Sequence, residues 1–236
     1  MVISETFTLG RITLLALADS VNPCEIAVLA MVLITILLAN PKNKNKVLFA
    51  GLAFSLAVFI GYLAYGLLII QFFNVFAEFL RESSKYVYNG LAILAMLIGA
   101  LNIKDFFFYK AGSLGTEMPI FMRPKVKKII GNITSPKSAF LIGFIVTLFL
   151  LPCTIGPYIV ASGLLSELGT LGALPWLLYY NFIFLLPMLI ITFIVYFGVA
   201  RVEDVTGWKE KHIRKLHLIA GILLLLVGLA ILLGWI

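Results

Sequence analysis

Charge is the first thing this chain has little of. Only 12% of its 236 residues are Asp, Glu, Lys or Arg, against roughly 25% in an ordinary soluble domain. With 62% hydrophobic residues, a disordered chain is excluded. No water-soluble fold of this length hides so much apolar surface, and the mean hydropathy of +1.09 agrees. Two cysteines exclude a disulfide-dense secreted scaffold. The two histidines have no acid or cysteine at a metal-ligand spacing beside them, so no metal site is expected. No phosphate loop and no GxGxxG motif occur, so neither ATP nor dinucleotide binding is indicated.

What is present is long apolar runs. A helix needs about 20 mostly apolar residues to cross a hydrocarbon core. Six runs qualify, at 12–39, 47–73, 86–103, 138–166, 171–200 and 214–235. They are continuously apolar rather than alternating, which argues against a β-barrel. The fold class expected is an all-α integral membrane protein with six transmembrane helices in a single membrane domain, 1–236. Met1 to Thr8 lack a basic stretch and the first run is too long for a signal core, so a removable signal peptide is not expected.

Basic residues set the expected orientation. The loops 40–46, 104–137 and 201–215 hold 15 Lys and Arg, and the opposite side holds 3: Arg11, Arg81 and Lys85. The positive-inside rule then places both termini outside the cytoplasm, in a multi-pass plasma-membrane protein. The net charge of +7 is met by anionic lipid, with no need for nucleic acid. Phe106 to Tyr109 suit the membrane interface. Arg123 to Ile130 reads as a short surface helix, bounded by Pro119 and Pro124.

Pro23-Cys24 and Pro152-Cys153 lie 129 residues apart, and Leu97-Ile98-Gly99 and Leu226-Val227-Gly228 keep the same offset. Each half would hold three spans, 1–110 and 138–236, joined by a cytoplasmic loop, 111–137. An odd number of spans inverts the second half, and inverted repeats place working sites near the midplane between halves.

The two cysteines are the strongest chemical signal. At 1.5 Å per residue, each falls about 20 Å from either end of its span, near the midplane. A lone membrane cysteine is usually a small buried hydrophobe; two matched Pro-Cys dipeptides at one depth are not. Such sulfurs can bond when their Cα atoms come within about 4.4–6.8 Å. Pro23, Pro152 and Pro157 predict breaks in the first and fourth helices, tolerated at depth only where backbone is buried in protein or lines a cavity. A helix starting after each break would favour the thiolate.

Asp19, Ser20, Asn22 and Glu25 crowd around Cys24. Intramembrane acids are costly and mark pathways or proton relays. Glu25 is placed to take the proton that leaves Cys24, or to act as a neutral donor; Asp19 is expected higher, lining the outer entrance. Thr154 follows the second cysteine. Ala53, Ala57, Gly61, Gly221 and Gly228 read as helix-packing positions, Asn181 as a residue bonding across to a break, and His217 as an interfacial residue.

Six spans, with Pro-Cys in the first and fourth and the run Pro152-Cys153-Thr154-Ile155-Gly156-Pro157 followed by Gly163-Leu164-Leu165, resemble the CcdA family, minimal relatives of the DsbD membrane domain. The resemblance covers nearly the whole chain, although Glu25-Ile26-Ala27-Val28 stands where relatives usually carry a further proline. It implies a thiol–disulfide oxidoreductase that takes two electrons from cytoplasmic thioredoxin through Cys24 and Cys153. These pass to extracytoplasmic thioredoxin-like proteins, often for cytochrome c maturation, without haem, flavin or quinone. Two other classes fit the residues: a small-molecule or metal-ion exporter, with the cysteines as soft ligands or packing residues, and a non-catalytic assembly subunit, with unreactive cysteines.

Overall fold

The structure, a computed structural model, describes residues 5–20, 23–40, 43–79, 84–110, 112, 116–198 and 202–233. Within these, the side chains of 5–8, 11, 23, 76–79, 84–85, 87–88, 151–153, 203, 205 and 209 are outside the description. An apolar run has no water to satisfy its backbone, so it closes its hydrogen bonds internally as a helix. Among the described residues there are eight helices and no strand: α1 (Glu5–Ser20), α2 (Pro23–Ala39), α3 (Lys44–Phe79), α4 (Ser84–Phe107), α5 (Arg123–Ile130), α6 (Pro136–Ser166), α7 (Gly169–Tyr196) and α8 (Val202–Leu232).

Four helical segments are long and apolar enough to cross a membrane: Lys44–Val75, Asn89–Phe107, Gly169–Tyr196 and Glu210–Leu232. Two bent pairs raise the number to six if each pair is one span. Large apolar side chains such as Leu68, Phe72, Leu171, Phe182 and Leu226 face outward, as lipid contact requires. The chain is an all-helical, multi-pass membrane protein.

Both Pro-Cys positions lie at sharp bends. The segments Ile12–Ser20 and Cys24–Ala39 meet at 50°, and a new helix begins at Pro23, the first helical turn being where a proline's missing N–H costs nothing. The fourth span is bent more sharply: the segments Pro136–Leu150 and Thr154–Ser166 of α6 stand 87° apart, a break at the expected proline.

The start of α6 is fixed locally. Ser135 and Ser138 form a reciprocal capping box, with Pro136 in the first turn. Asn40 at the end of α2 donates to the Thr134 carbonyl at 3.2 Å, tying the two together. α5 turns its basic side chains outward and buries Val126 and Ile130, as a short surface helix should.

α3 packs on α6 and α7, while α4 pairs with α8. Gly143 faces Ala57, and Gly61 faces Thr147. The α4–α8 pair meets backbone to backbone. A Cβ at Gly99 would lie 2.9 Å from the Gly221 carbonyl oxygen, and one at Gly228 would lie 2.9 Å from that of Ala92. The two helices therefore run antiparallel, and a shift of 129 residues converts one contact into the other.

Candidate functional site

Cys24 is the second residue of α2. Its position in the first turn puts the sulfur near the unsatisfied N–H groups and positive end of the helix dipole. The side chain is 8% exposed and borders a cleft of about 380 Å³, walled by Val28 and Met31 of α2, Glu117, Met118 and Arg123 of the following loop and helix, and Glu210 of α8. The backbone N–H of Met118 donates to Cys24 Sγ at 3.1 Å. The loop after α4 thus reaches back to the cysteine.

That loop is held by Glu117. Its Oε1 accepts from the Tyr109 hydroxyl at 2.8 Å, and its Oε2 accepts from the Gly112 amide at 2.8 Å and Arg123 Nη2 at 2.7 Å. Thr116 donates to Asp105 Oδ2 at 2.5 Å. Burial alone pushes the Glu117 carboxyl up, but His217, the Gly112 amide, Tyr109 and Arg123 together outweigh it and hold it at about 2. Burial, followed by the bond to Glu117, pushes the Tyr109 hydroxyl up, so it stays a donor. His217 is buried in α8. Its Nδ1 faces Asn102 Oδ1 at 2.9 Å, while Asn102 Nδ2 donates to the Ile98 carbonyl. Nδ1 must therefore carry a proton. His217 Nε2 stands 3.6 Å from Glu117 Oε1, too far for a hydrogen bond but close enough for charge attraction when the ring is protonated.

A second polar cluster lies beneath. Glu25 and Asp19 are 2% and 1% exposed. Tyr180 of α7 donates to Asp19 Oδ2 at 3.0 Å. Tyr62 of α3 reaches Glu25, and its hydroxyl lies 2.7 Å from Thr154 Oγ1 of α6. Tyr158 donates to the Tyr62 carbonyl at 2.6 Å, with Asn181 Oδ1 at 3.4 Å. Asp19 Oδ1, Glu25 Oε1 and Asn181 Nδ2 have no hydrogen-bond partner among the described residues. A cavity of about 20 Å³, bordered by Asp19, Pro157, Asn102, Thr116 and His217, separates this cluster from the Glu117 network.

The structure brings together Cys24, Glu25, Asp19 and Thr154, with Pro157 nearby. Asn22 lies outside the described residues. Pro152 and Cys153 fall within α6 and Pro23 opens α2, but their side chains, and with them any Cys24–Cys153 pairing, are outside the description. Asp19 does not line an outer entrance: it is buried against Tyr180. His217 is buried, its ring centroid 6.0 Å from that of Tyr109. Asn181 meets Tyr158, one residue past Pro157, much as expected. Sequence reasoning missed Glu117, Met118, Tyr62 and Tyr180. One signal was available: Asp105 and Glu117 are the only acids among the seven basic residues of 104–137. Among the described residues no cluster of His, Cys, Asp and Glu suits a metal ion. Comparison with protein-family models, with characterised proteins and with solved structures returns no match.

Proposed function

We propose that the chain is a transmembrane thiol–disulfide oxidoreductase that carries reducing equivalents through Cys24 and Cys153. A cytoplasmic thioredoxin supplies them, and extracytoplasmic thioredoxin-like proteins accept them in the service of cytochrome c maturation. The observation that carries this function is the setting of Cys24: a helix first turn, an amide donor at 3.1 Å, and a cleft at its side. An inert packing cysteine needs none of these; a sulfur that must ionise to attack benefits from each.

In the reaction, a thioredoxin thiolate attacks the Cys24–Cys153 disulfide. One sulfur forms a mixed disulfide, and the other leaves as thiolate. The second thioredoxin thiol resolves the mixed bond, so two electrons and two protons reach the pair while thioredoxin is oxidised. The pair then reduces an outer disulfide by the same exchange in reverse. Six spans arranged as two inverted three-helix repeats suit transfer between opposite faces, and the paired contacts Gly99–Gly221 and Ala92–Gly228 support such a relation. The 15-to-3 distribution of basic residues supports a plasma-membrane orientation with both termini outside.

The test is reductant transfer across proteoliposomes from thioredoxin to an enclosed disulfide reporter. Cys24→Ser with Cys153→Ser is expected to abolish it; wild-type transfer by that double variant would falsify the function.

A second function, export of a small molecule or cation, is favoured by one observation: the buried oxygens Asp19 Oδ1 and Glu25 Oε1, which have no hydrogen-bond partner among the described residues. Cargo flux that survives the double cysteine replacement and is lost with Asp19→Asn would decide for it.

A further inference from the structure

The loop between α4 and α5 offers Cys24 something that neither cysteine supplies. We propose that Glu117 is a positioning residue: by anchoring its own segment it aims the Met118 amide at Cys24 Sγ and so favours the ionised, reactive sulfur. This rests on the thiol–disulfide function proposed above.

An N–H donor binds a thiolate more strongly than a thiol, because the bond is charge-assisted. Its value depends on aim, and the aim of the Met118 N–H is set by the peptide plane that joins residues 117 and 118. That plane is pinned through the Glu117 carboxylate, which Tyr109, Gly112 and Arg123 grip at 2.7–2.8 Å. Gly112 supplies its amide from a left-handed backbone conformation, φ +79°, where a Cβ would come 2.7 Å from Ile120 Cγ1. The grip joins residues from 109 to 123 around one carboxylate.

Glu117 has two opposite influences on the sulfur. Its negative charge, partly offset by Arg123, disfavours a neighbouring thiolate, as do Glu25 beside Cys24 and Glu210 across the cleft, which Glu117→Gln and Tyr109→Phe leave in place. The hold of Glu117 on the Met118 amide favours it. The sign of the change on neutralising Glu117 therefore separates positioning from simple charge.

The experiment uses the full-length chain in lipid nanodiscs, reduced, with Cys153→Ser so that Cys24 is the sole thiol. The rate of iodoacetamide alkylation at Cys24 is followed against pH by mass spectrometry. Glu117→Gln is expected to raise the wild-type midpoint by about one unit, the scale of one charge-assisted hydrogen bond. Tyr109→Phe, which changes no charge, is expected to raise it by less. A Glu117→Gln midpoint that is unchanged or lower overturns the proposal. If Glu117→Gln does not accumulate, Tyr109→Phe decides by the same sign. Alkylation involves no electron transfer. A flat result alongside normal reductant transfer removes the positioning role alone; the expected shifts in a protein whose double-serine form still transfers remove the function alone.

Discussion

Gly99 and Gly90 sit on the same helix and should respond oppositely to the same change. Both are helical, and alanine at either removes backbone freedom from the unfolded chain, a gain of about 0.4–1 kcal/mol where the native site accepts it. At Gly90 a Cβ meets no described atom within 4 Å, so Gly90→Ala should show that gain. At Gly99 a Cβ would stand 2.9 Å from the Gly221 carbonyl oxygen and 3.1 Å from the Leu225 amide nitrogen. Both are backbone atoms, which cannot swing aside as a side-chain end can. The helices must part by roughly half an ångström, and overpacking of this kind costs about 1–3 kcal/mol. Because the entropy gain is common to both variants, their difference isolates the contact. Thermal unfolding in one detergent, followed by tryptophan fluorescence, gives the measurement. At about 2–4 °C per kcal/mol for a chain of this length, Gly99→Ala should melt at least a few degrees below Gly90→Ala. Equal melting of the two variants refutes the close α4–α8 approach.

Tyr180→Phe removes the donor to Asp19 Oδ2 and leaves both oxygens of a buried acid without a described partner. A loss of about 1–3 kcal/mol is expected, and a smaller one for Tyr179→Phe, whose hydroxyl meets Thr13 in a half-buried position; equal losses in thermal melting would count against the buried Asp19 contact. The Glu117 carboxyl is held at about 2 against an ordinary 4.5. Its contribution to stability is therefore complete above about pH 4.5 and lost as pH falls towards 2. The wild-type melting temperature should fall more steeply between pH 5 and 3 than that of Glu117→Gln, and parallel slopes would refute the linkage.

The spans were readable because a bilayer imposes one rule on every run: close the backbone internally or stay out. The apolar stretches at 47–73, 171–200 and 214–235 accordingly sit inside α3, overlap nearly all of α7, and match the apolar part of α8. Arg123 to Ile130 was readable because two prolines and a basic face leave a short helix few alternatives. Cys24, Glu25 and Asp19 stood out as polar groups where lipid forbids them. The Glu117 network did not, because its members come from 102, 109, 112, 117, 123 and 217 and share no periodicity. Tyr62 and Tyr180 look like ordinary apolar-span aromatics until the buried acid each one serves is known. The bend of α6 between Leu150 and Thr154 was readable because proline removes a backbone donor and clashes with the preceding turn.

The backbone-to-backbone seam between α4 and α8 has a mechanical consequence. Two helices meshed at Gly99–Gly221 and again at Ala92–Gly228, about 10 Å further along, can neither slide lengthwise nor roll without collision. They form a keel. Under the proposed function, a motion that turns Cys24 between the two faces leaves that seam intact and falls to the other helices, the bent spans α1–α2 and α6 among them.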